Sequence, residues 1–327
     1  MSALAWLARR LGLYAVAAWA ALTLGFALPR MVPGDPAAAL LARLQGKAGP
    51  EAIAALRAAL GVSDAPLVEQ YGAYLLALTR GDLGVSVSRF PTPVAELIGG
   101  ALGWTLLLAG VSVAISFVLG SALGLAAAWR GGVLDTVVGP ALTLLGAFPY
   151  FWLAMGALHV FGFGLGWFPL RHAWDTSVAP APTLEFGWGV VRHAALPALT
   201  LVGASVGGWM LGMRTSARSI LATDQVLLAR ARGLPTARVV SAYVLRNAVL
   251  PHLTGFGMAL GFVVSGALLT EVVFSYPGEG WLLVQAVRAQ DYPLLQGLVL
   301  AITLAVLAAN ALVDVLTLLV DPRTRAA

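Results

Sequence analysis

The stretch "LGWTLLLAGVSVAISFVLGSALGLAAA", residues 102–128, contains no charged side chain over its whole length. A helix of about 20 mostly apolar residues is long enough to cross a hydrocarbon layer of about 30 Å. A helix is the expected form because a backbone in lipid finds no water and must satisfy its own hydrogen bonds. This stretch therefore predicts a transmembrane helix and sets the class of the fold.

Similar apolar runs lie on both sides of it. The chain is 59% hydrophobic and 11% charged, with a mean hydropathy of +0.86, and its apolar runs do not alternate in short segments as the strands of a membrane barrel would. We predict an all-α polytopic membrane protein with six transmembrane helices. They cover residues 11–28, 102–128, 137–161, 194–213, 254–274 and 294–318.

The basic residues predict the orientation. Lys and Arg number 20 against 15 Asp and Glu, an excess that in a membrane protein marks cytoplasmic loops and does not indicate nucleic-acid binding. The short outer loops carry only Arg171, Arg192 and Arg288, whereas eleven arginines fall in the predicted cytoplasmic segments. The first helix is followed by "ALPRMVPGDP", which lacks a cleavage site of small residues. We expect a retained anchor, with the N- and C-termini both in the cytoplasm.

Several kinds of chemistry are not supported. The chain has no cysteine, so a disulfide, a thiolate metal site and a thiol nucleophile are excluded. Gly46 and Lys47 are followed by Ala48, where a phosphate-binding loop needs Ser or Thr. The histidines do not pair with acids at metal-ligand spacing. We therefore predict no cofactor and no metal in this chain.

Three regions are predicted. Residues 1–30 form a cytoplasmic start and the first transmembrane helix, residues 31–100 an outer helical segment, and residues 101–327 the membrane core. In the outer segment "PEAIAALRAAL" and "PLVEQYGAYLLALTRG" are typical of amphipathic helices. The segment would either contact an extracytoplasmic binding protein or shield the mouth of a path.

A basic stretch, "LLARARGLPTARVVSAYVLRNAVLP", occupies residues 227–251 and holds four arginines and no acid. A cytoplasmic bias explains the number of arginines but not their pattern. Thr223 or Asp224 is a candidate N-cap of a short helix that Gly233 would end, and Pro235 suits the first turn of a second helix.

In the predicted second helix, Val240, Val244 and Ala248 share one face, and Pro251 begins the next span. A simple connection between membrane helices would be shorter. We predict a compact helix-turn-helix on the cytoplasmic side that docks another protein.

The motifs of the whole chain resemble those of permease subunits of ABC importers, in the dipeptide/oligopeptide and nickel branch. The cytoplasmic loop matches at Asp224, Ala229-Arg230-Ala231, Gly233-Leu234, Leu245-Arg246-Asn247-Ala248 and Pro251. Further matches, in family order, are "PGDP", "GDLGVS", "FPYFWLAM", "LGWFP", "EVVFSYPGEGWLL" and "DYPLLQG". Leu227 and Leu228 replace the acid and the alanine that name the family's loop, and Glu279 stands where an apolar residue is common.

The resemblance implies a type I ABC importer-like permease with a coupling loop at residues 217–250. The residues that it assigns to coupling with an ATP-binding subunit are Asp224, Ala229, Arg230, Ala231, Arg232, Gly233, Leu234, Arg246, Asn247 and Pro251. Its candidates for a translocation path or outer gate are Glu271, Phe274, Pro277, Gly278 and Asp291.

The resemblance also implies partners and cargo. The chain would form half of a path for peptides, beside a second homologous permease. One or two separate subunits would bind ATP and Mg, and an extracytoplasmic protein would bind the solute. The expected location is the plasma or inner membrane of a bacterium or archaeon. Nickel, glutathione and other small solutes remain alternative cargoes.

Two acids lie near the ends of predicted spans. Glu271 and Asp314 lie at span boundaries, and the absence of a mid-span acid argues against proton-coupled transport.

Pairs of glycines four apart allow helix backbones to approach closely in lipid. These pairs are Gly120 and Gly124, Gly203 and Gly207, Gly208 and Gly212, and Gly257 and Gly261.

A different class of function is a remote alternative. Gly203-Ala204-Ser205-Val206-Gly207 fits the pattern around a hydrolase serine. That chemistry requires a base within hydrogen-bond reach of Ser205. Of the four histidines, only His159 is a loose candidate in the predicted topology, and nothing orients it.

Overall fold

A computed structural model describes residues 3–31 and 65–320 of the chain. These residues are largely helical, and the strand-like pairing among them is an isolated antiparallel bridge between Val85 and Pro93. The α-helices are α1 (Ala3–Met31), α2 (Leu67–Thr79), α3 (Val94–Arg130), α4 (Gly139–Leu145), α5 (Tyr150–Ala157), α6 (Leu184–Leu221), α7 (Asp224–Ala231), α8 (Thr236–Arg238), α9 (Arg246–Val273), α10 (Glu279–Ala289) and α11 (Tyr292–Val320). The π-helical segments are π1 (Leu134–Val138), π2 (Leu158–Gly164) and π3 (Val239–Leu245). The predicted all-α class is confirmed.

Within the described residues, four helices are long and apolar enough to cross a membrane. They are α1, α3, α6 and α11, and a broken pair of helices makes a fifth candidate. The predicted span 254–274 also forms a helix, α9, but it is not among these candidates. The polytopic class is confirmed, and the number of six spans stays a prediction.

The third predicted span is not one helix. The segments Leu134–Leu145 and Tyr150–Gly164 are bent by 97° at a short break. Pro149 causes the break, because proline lacks an N–H and disfavours helical geometry in the residue before it. Pro149 is extended, with ψ of 138°, and α5 starts immediately after it. The prediction of a continuous helix over residues 137–161 is therefore wrong.

The described residues group into two compact units, one of them centred on Leu106–Tyr276. In this unit α6 packs against α4, α5 and α9. Part of α3 also lies against α6, because a Cβ at Gly120 would be 2.7 Å from the carbonyl oxygen of Val206. A Cβ at Gly207 would overlap the backbone of Leu142 in the same way. These glycines confirm the predicted close packing, whereas the side-chain surroundings of Gly257 and Gly261 lie outside the described residues.

The second unit draws on Ala8–Thr105 and Pro277–Leu307. Its core lies where α10 and α11 meet the start of α3, with Val94, Leu282 and Leu298 buried together. The aromatic rings of α1 and α2 pack as well, with the centroids of Phe26 and Tyr71 5.1 Å apart. Helix α2 confirms that the second predicted segment is helical, but none of its residues is buried, so its amphipathic character stays a prediction. The first, "PEAIAALRAAL", lies outside the described residues.

Candidate coupling surface

The predicted helix-turn-helix is present, and we call residues 224–245 the basic hairpin. Helix α7 runs over Asp224–Ala231, and the chain then turns at residues 232–235. Helix α8 and π3 form the returning arm, which continues without interruption into α9. The hairpin therefore joins the ends of α6 and α9, two helices that pack against each other.

Gly233 sets the turn. Its φ is +74°, in the left-handed region that other residues rarely adopt. The N–H of Gly233 donates to Arg230 O at 2.9 Å, and the N–H of Leu234 donates to Ala229 O at 3.3 Å. These bonds satisfy carbonyls at the end of α7, in the manner of a glycine C-cap. The predicted helix stop at Gly233 is confirmed.

The start of α7 differs from the expected cap. Thr223 occupies the N-cap position with an extended backbone, but its side chain does not cap the helix. Its hydroxyl donates instead to Ile220 O at 2.7 Å. The acidic group near the N-terminus is Asp224, in the first turn of α7, where a negative charge is favourable. The predicted side-chain cap is wrong for Thr223, and Asp224 lies just inside the helix.

A small apolar core supports the hairpin from beneath. Val226 and Ala229 of α7 are buried with Val239 and Val244 of the returning arm and with Met213 of α6. The hairpin is therefore packed onto the membrane helix below it.

The returning arm buries a different residue from the one predicted. An α-helical spacing predicts Val240, Val244 and Ala248 on one face; Val244 and Ala248 are buried, but Val239 is buried in place of Val240, which is half-buried. The cause is π3, whose wider turns place residues about five apart on one face. Val239 and Val244 are five apart, so both reach the core.

The outward side of α7 combines apolar and basic groups. Leu227 is 68% exposed and Leu228 is 56% exposed. Arg230, Ala231 and Arg232 are exposed beside them. In the sequence, Leu227 and Leu228 stand out only as departures from a family pattern, and an exposed apolar surface was not predicted there. The signal was available, because on a helix both fall away from the face formed by Val226 and Ala229.

Arg230 is held by the membrane core of the same unit. Its guanidinium carbon lies 4.8 Å from the centroid of the Trp129 ring, near the end of α3. A cation over an indole face is a favourable contact. Arg230 therefore anchors α7 to α3, while Arg232 and Arg238 are exposed.

Three predicted coupling residues lie on α9, and the first of them, Arg246, is exposed at the start of the helix. Asn247 is exposed, and its side-chain amide donates to Tyr243 O at 2.7 Å. Pro251 lies inside α9 and does not begin a helix. Because Pro251 lacks an N–H, the Asn247 carbonyl lacks its usual helical donor. Helical structure already runs from Thr236, so Pro251 does not begin the helix, and a start of the membrane span at Pro251 stays a prediction.

Comparison with known proteins decides the identity of the chain. Residues 120–326 match the profile of the family described as "Binding-protein-dependent transport system inner membrane component". The chain belongs to this family.

Full-length relatives agree with this assignment. The permease is 39% identical over 305 residues to a putative peptide permease protein of Brucella ovis, covering 92% of each chain. It is 33% identical over 352 residues to the di/tripeptide transport system permease protein DppB of Pseudomonas aeruginosa, covering 98% of this chain and 99% of the relative. It is 38% identical over 308 residues to the glutathione transport system permease protein GsiC of Salmonella choleraesuis, covering 92% of each. The predicted resemblance to ABC-importer permeases is confirmed.

The predicted path residues of the permease are mostly buried. Glu271 is fully buried and Phe274 is nearly so. Their carbonyls accept hydrogen bonds, from Tyr276 N at 2.8 Å and from His172 N at 3.1 Å. Burial within the chain gives no direct support to a lining role, which stays a prediction.

Asp291 has a defined structural role in the second unit. One carboxylate oxygen accepts hydrogen bonds from the Ser86 hydroxyl at 2.5 Å, the Ser88 N–H at 2.8 Å and the Ser88 hydroxyl at 2.7 Å. The other accepts the N–H of Leu294 at 3.2 Å, in the first turn of α11. Asp291 therefore caps α11 and holds the segment before α3. Of the neighbouring candidates, Gly278 is buried and Pro277 is half-buried.

Glu279 is a buried acid that the path prediction did not include. Its N–H donates to the Thr105 hydroxyl at 2.8 Å. Both carboxyl oxygens lack a hydrogen-bond partner among the described residues. Burial raises the pKa of this carboxyl to about 7. The charged and uncharged forms of Glu279 are therefore of similar stability near neutral pH.

The structure does not assemble a serine hydrolase around Ser205. Its hydroxyl donates to Leu201 O at 2.7 Å and lies 2.7 Å from the Ser116 hydroxyl. In the described part of the chain, no histidine shares a hydrogen bond with Ser205. His252 lines the same cavity, a proximity that the sequence did not predict.

An ion cluster ties α6 to the segment before α4. Asp135 of π1 pairs with Arg214, and its other oxygen is 2.5 Å from a guanidinium nitrogen of Arg218. Both arginines were predicted only as markers of the cytoplasmic side. Among the described residues, no group of three or more histidines and acids is arranged to hold a metal ion.

Proposed function

We propose that this permease forms half of a translocation path for small peptides in an ATP-driven importer. The observation that carries the cargo class is the naming of full-length relatives as peptide or di/tripeptide permeases at 33–39% identity. A single chain that provides half a path requires a second, homologous permease chain beside it.

Glutathione is a second candidate cargo. The relative GsiC is named as a glutathione permease, and its identity of 38% is similar to that of the peptide permeases. Glutathione is itself a small peptide, so the two candidates differ in chain length and linkage more than in chemical class. Direct comparison of the two cargoes in transport is therefore required.

The basic hairpin is proposed to dock a separate ATP-binding subunit, which would hold ATP and Mg. Three features support this role: the exposed Leu227 and Leu228, the arginines around them, and the left-handed turn at Gly233. An apolar centre with arginines at its edge is typical of protein interfaces. Nucleotide binding on the partner would bias the permease only through contacts that differ between two states.

The remaining partners follow from this arrangement. We propose one or two ATP-binding subunits at the basic hairpin, an extracytoplasmic solute-binding protein on the opposite side, and both termini of the permease in the cytoplasm. The membrane would be the plasma or inner membrane of a bacterium or archaeon.

Transport by the reconstituted complex tests the cargo. The permease would be co-expressed with the proposed second permease, ATP-binding subunits and solute-binding protein, and reconstituted into proteoliposomes. We expect ATP-dependent uptake of labelled alanyl-phenylalanine. Uptake of glutathione in preference to dipeptides would select the second candidate, and uptake of nickel alone would reject peptides as cargo.

A further inference from the structure

An open cleft with a volume of about 370 Å³, called the cavity below, lies between α6 and α9, at the base of the basic hairpin. The wall from α6 includes Ser205, Trp209 and Ser216, and α9 contributes Pro251 and His252. The volume falls within the range of about 300–1,000 Å³ that is typical of small-molecule sites.

Glycines create this space. Gly208 and Gly212 of α6 and Gly255 of α9 line the cavity. Apart from the neighbouring backbone of α6, no atom of the described residues lies within 4 Å of a Cβ built at Gly208, so that Cβ would enter open space. A Cβ at Gly212 would instead lie 2.8 Å from the His252 ring. Gly212 therefore lets the imidazole rest directly against α6.

His252 is the polar group of the cavity that lacks a partner. Its side chain is 8% exposed, and Nδ1 has no hydrogen-bond partner in the described part of the chain. Buried polar groups are almost always hydrogen-bonded, so an unpaired imidazole nitrogen beside a cavity indicates a missing ligand or water. The Trp209 ring lies 6.0 Å from the imidazole, centroid to centroid, and fixes one side of it.

The residues that line the cavity indicate which kind of ligand it can bind. It contains no Lys, Arg, Asp or Glu, so it offers no counter-charge to a phosphate or a free carboxylate. A single imidazole without carboxylates is also a poor site for a divalent cation. An indole face and a proline suit an apolar side chain, and the imidazole and hydroxyls suit a neutral amide, which offers both a donor and an acceptor.

We infer that this cavity binds one apolar or aromatic side chain of a peptide in transit, together with the neighbouring peptide group, which bonds to His252. The inference rests on the proposed function, because it places the cargo of that function in this chain. It also places the cargo next to the basic hairpin, on the two helices that the hairpin connects.

Photo-crosslinking tests the location. The reconstituted complex would be irradiated with alanyl-p-benzoylphenylalanine, and the labelled segment would be identified by mass spectrometry. We expect adducts on α6 near Trp209 and on α9 near Gly255, and competition by alanyl-phenylalanine. Uptake of the probe without adducts on either helix would overturn the inference and leave the proposed function standing. Absence of uptake and of adducts in the native complex would reject both.

Three substitutions test the chemistry. His252→Leu should raise the KM for uptake of alanyl-phenylalanine and of dialanine about 5- to 10-fold, as expected for the loss of one hydrogen bond of about 1–1.4 kcal/mol. Trp209→Leu should raise the KM for alanyl-phenylalanine more than the KM for dialanine. Gly208→Leu, which fills the cavity without a clash, should reduce uptake of both.

Matched controls separate this site from general damage. His193→Leu removes a histidine of α6 whose Nδ1 is already bonded to Gly189 O at 2.8 Å, and Gly187→Leu adds a side chain at another open glycine of α6. Both controls should leave each KM unchanged. If Gly208→Leu assembles normally and transports both peptides like the native complex, the cavity does not hold the cargo.

Discussion

Glu279 has the least usual environment of any single acid in the described residues. Its side chain is fully buried, and its carboxyl oxygens lack hydrogen-bond partners there. Burial of a carboxyl group disfavours the charged form, and the pKa rises from 4.5 to about 7. The folded protein therefore holds this proton more tightly than the unfolded chain does.

The sign of the resulting pH dependence follows from this difference. The stabilisation from the protonated Glu279 is fully present below about pH 4.5 and is lost as the pH rises towards 7. Glu279→Gln keeps the shape and removes the charge. We expect the variant to be more stable than the native protein at pH 8, by on the order of 1–2 kcal/mol, and to differ little at pH 4.5. Thermal unfolding of the purified permease at the two pH values measures the effect.

The control for Glu279 is an acid in a similar backbone position. Glu185 also lies in the first turn of a helix but is exposed. Glu185→Gln should produce no comparable gain at pH 8. Equal melting shifts for the two variants, or a Glu279 variant that is less stable at pH 8, would contradict the proposed burial effect.

Gly233 carries the second prediction for a single residue. A left-handed conformation costs a residue with a Cβ about 1–2 kcal/mol, and the space around Gly233 is open, so Gly233→Ala is strained without a clash. We expect the turn to loosen and uptake per ATP hydrolysed to fall. The measurement is transport and ATPase activity in the same proteoliposomes.

Gly72→Ala is the matched control for this substitution. Gly72 lies in α2, has similarly open surroundings and has no positive φ. The control should behave like the native protein. If Gly233→Ala takes up as much peptide per ATP hydrolysed as the native protein, coupling does not depend on the left-handed turn.

At the scale of elements, α7 presents the surface on which docking depends. Burial of a leucine side chain contributes about 1.5–3 kcal/mol, so Leu227→Ser with Leu228→Ser should weaken binding of the ATP-binding subunit more than tenfold. The inner face of α7, formed by Val226 and Ala229, is unchanged in this variant. Co-purification at graded subunit concentrations measures the affinity.

An exposed leucine elsewhere provides the comparison. Leu184 is 95% exposed at the start of α6, and Leu184→Ser should leave binding of the ATP-binding subunit unaffected. Full binding by the double variant of α7 would place the interface on another part of the permease.

The helices were predictable from sequence to different degrees. The long apolar runs gave α1, α3, α6 and α11, because burial in lipid leaves helix as the form that satisfies the backbone. The bend at Pro149 was missed because proline also occurs within membrane helices, as Pro197 does in α6. The residues around a proline do not show whether the helix breaks, as at Pro149, or continues, as at Pro197. Neighbouring helices decide this, because they determine whether the carbonyl that loses its N–H donor finds another partner.

The residues of the candidate site were also predictable from sequence to different degrees. Gly233 was predictable, because a glycine after a helical run marks a left-handed end. The π-helical turns of π3 were not, because they depend on how Val239 and Val244 fit the core beneath the hairpin. The proximity of Ser205 and His252 was also missed, since it arises from packing between helices far apart in the chain.

At the scale of the whole molecule, the absence of cysteine provides a direct test of orientation. Ala231 in the basic hairpin and Ala179 in the loop before α6 are both exposed. In intact cells, a membrane-impermeant maleimide should label Ala179→Cys but not Ala231→Cys. Permeabilised membranes should allow labelling of both.

The unsubstituted chain is the control for labelling, because it has no thiol to react. Labelling of Ala231→Cys in intact cells would place the basic hairpin outside. That result would remove the proposed docking of an ATP-binding subunit there.

The continuity of α8, π3 and α9 has a mechanical consequence. Together they form one helical run of residues 236–273, about 55 Å long at about 1.5 Å per residue. Pro251 lies inside this run and leaves a carbonyl of the preceding turn without its helical donor, so the run can bend there. A sideways push at Thr236 would therefore be shared between tilting of the run and bending at Pro251. The basic hairpin and Val273 are thus joined by continuous helical backbone, and a movement at one end can reach the other without any part of the run having to unfold.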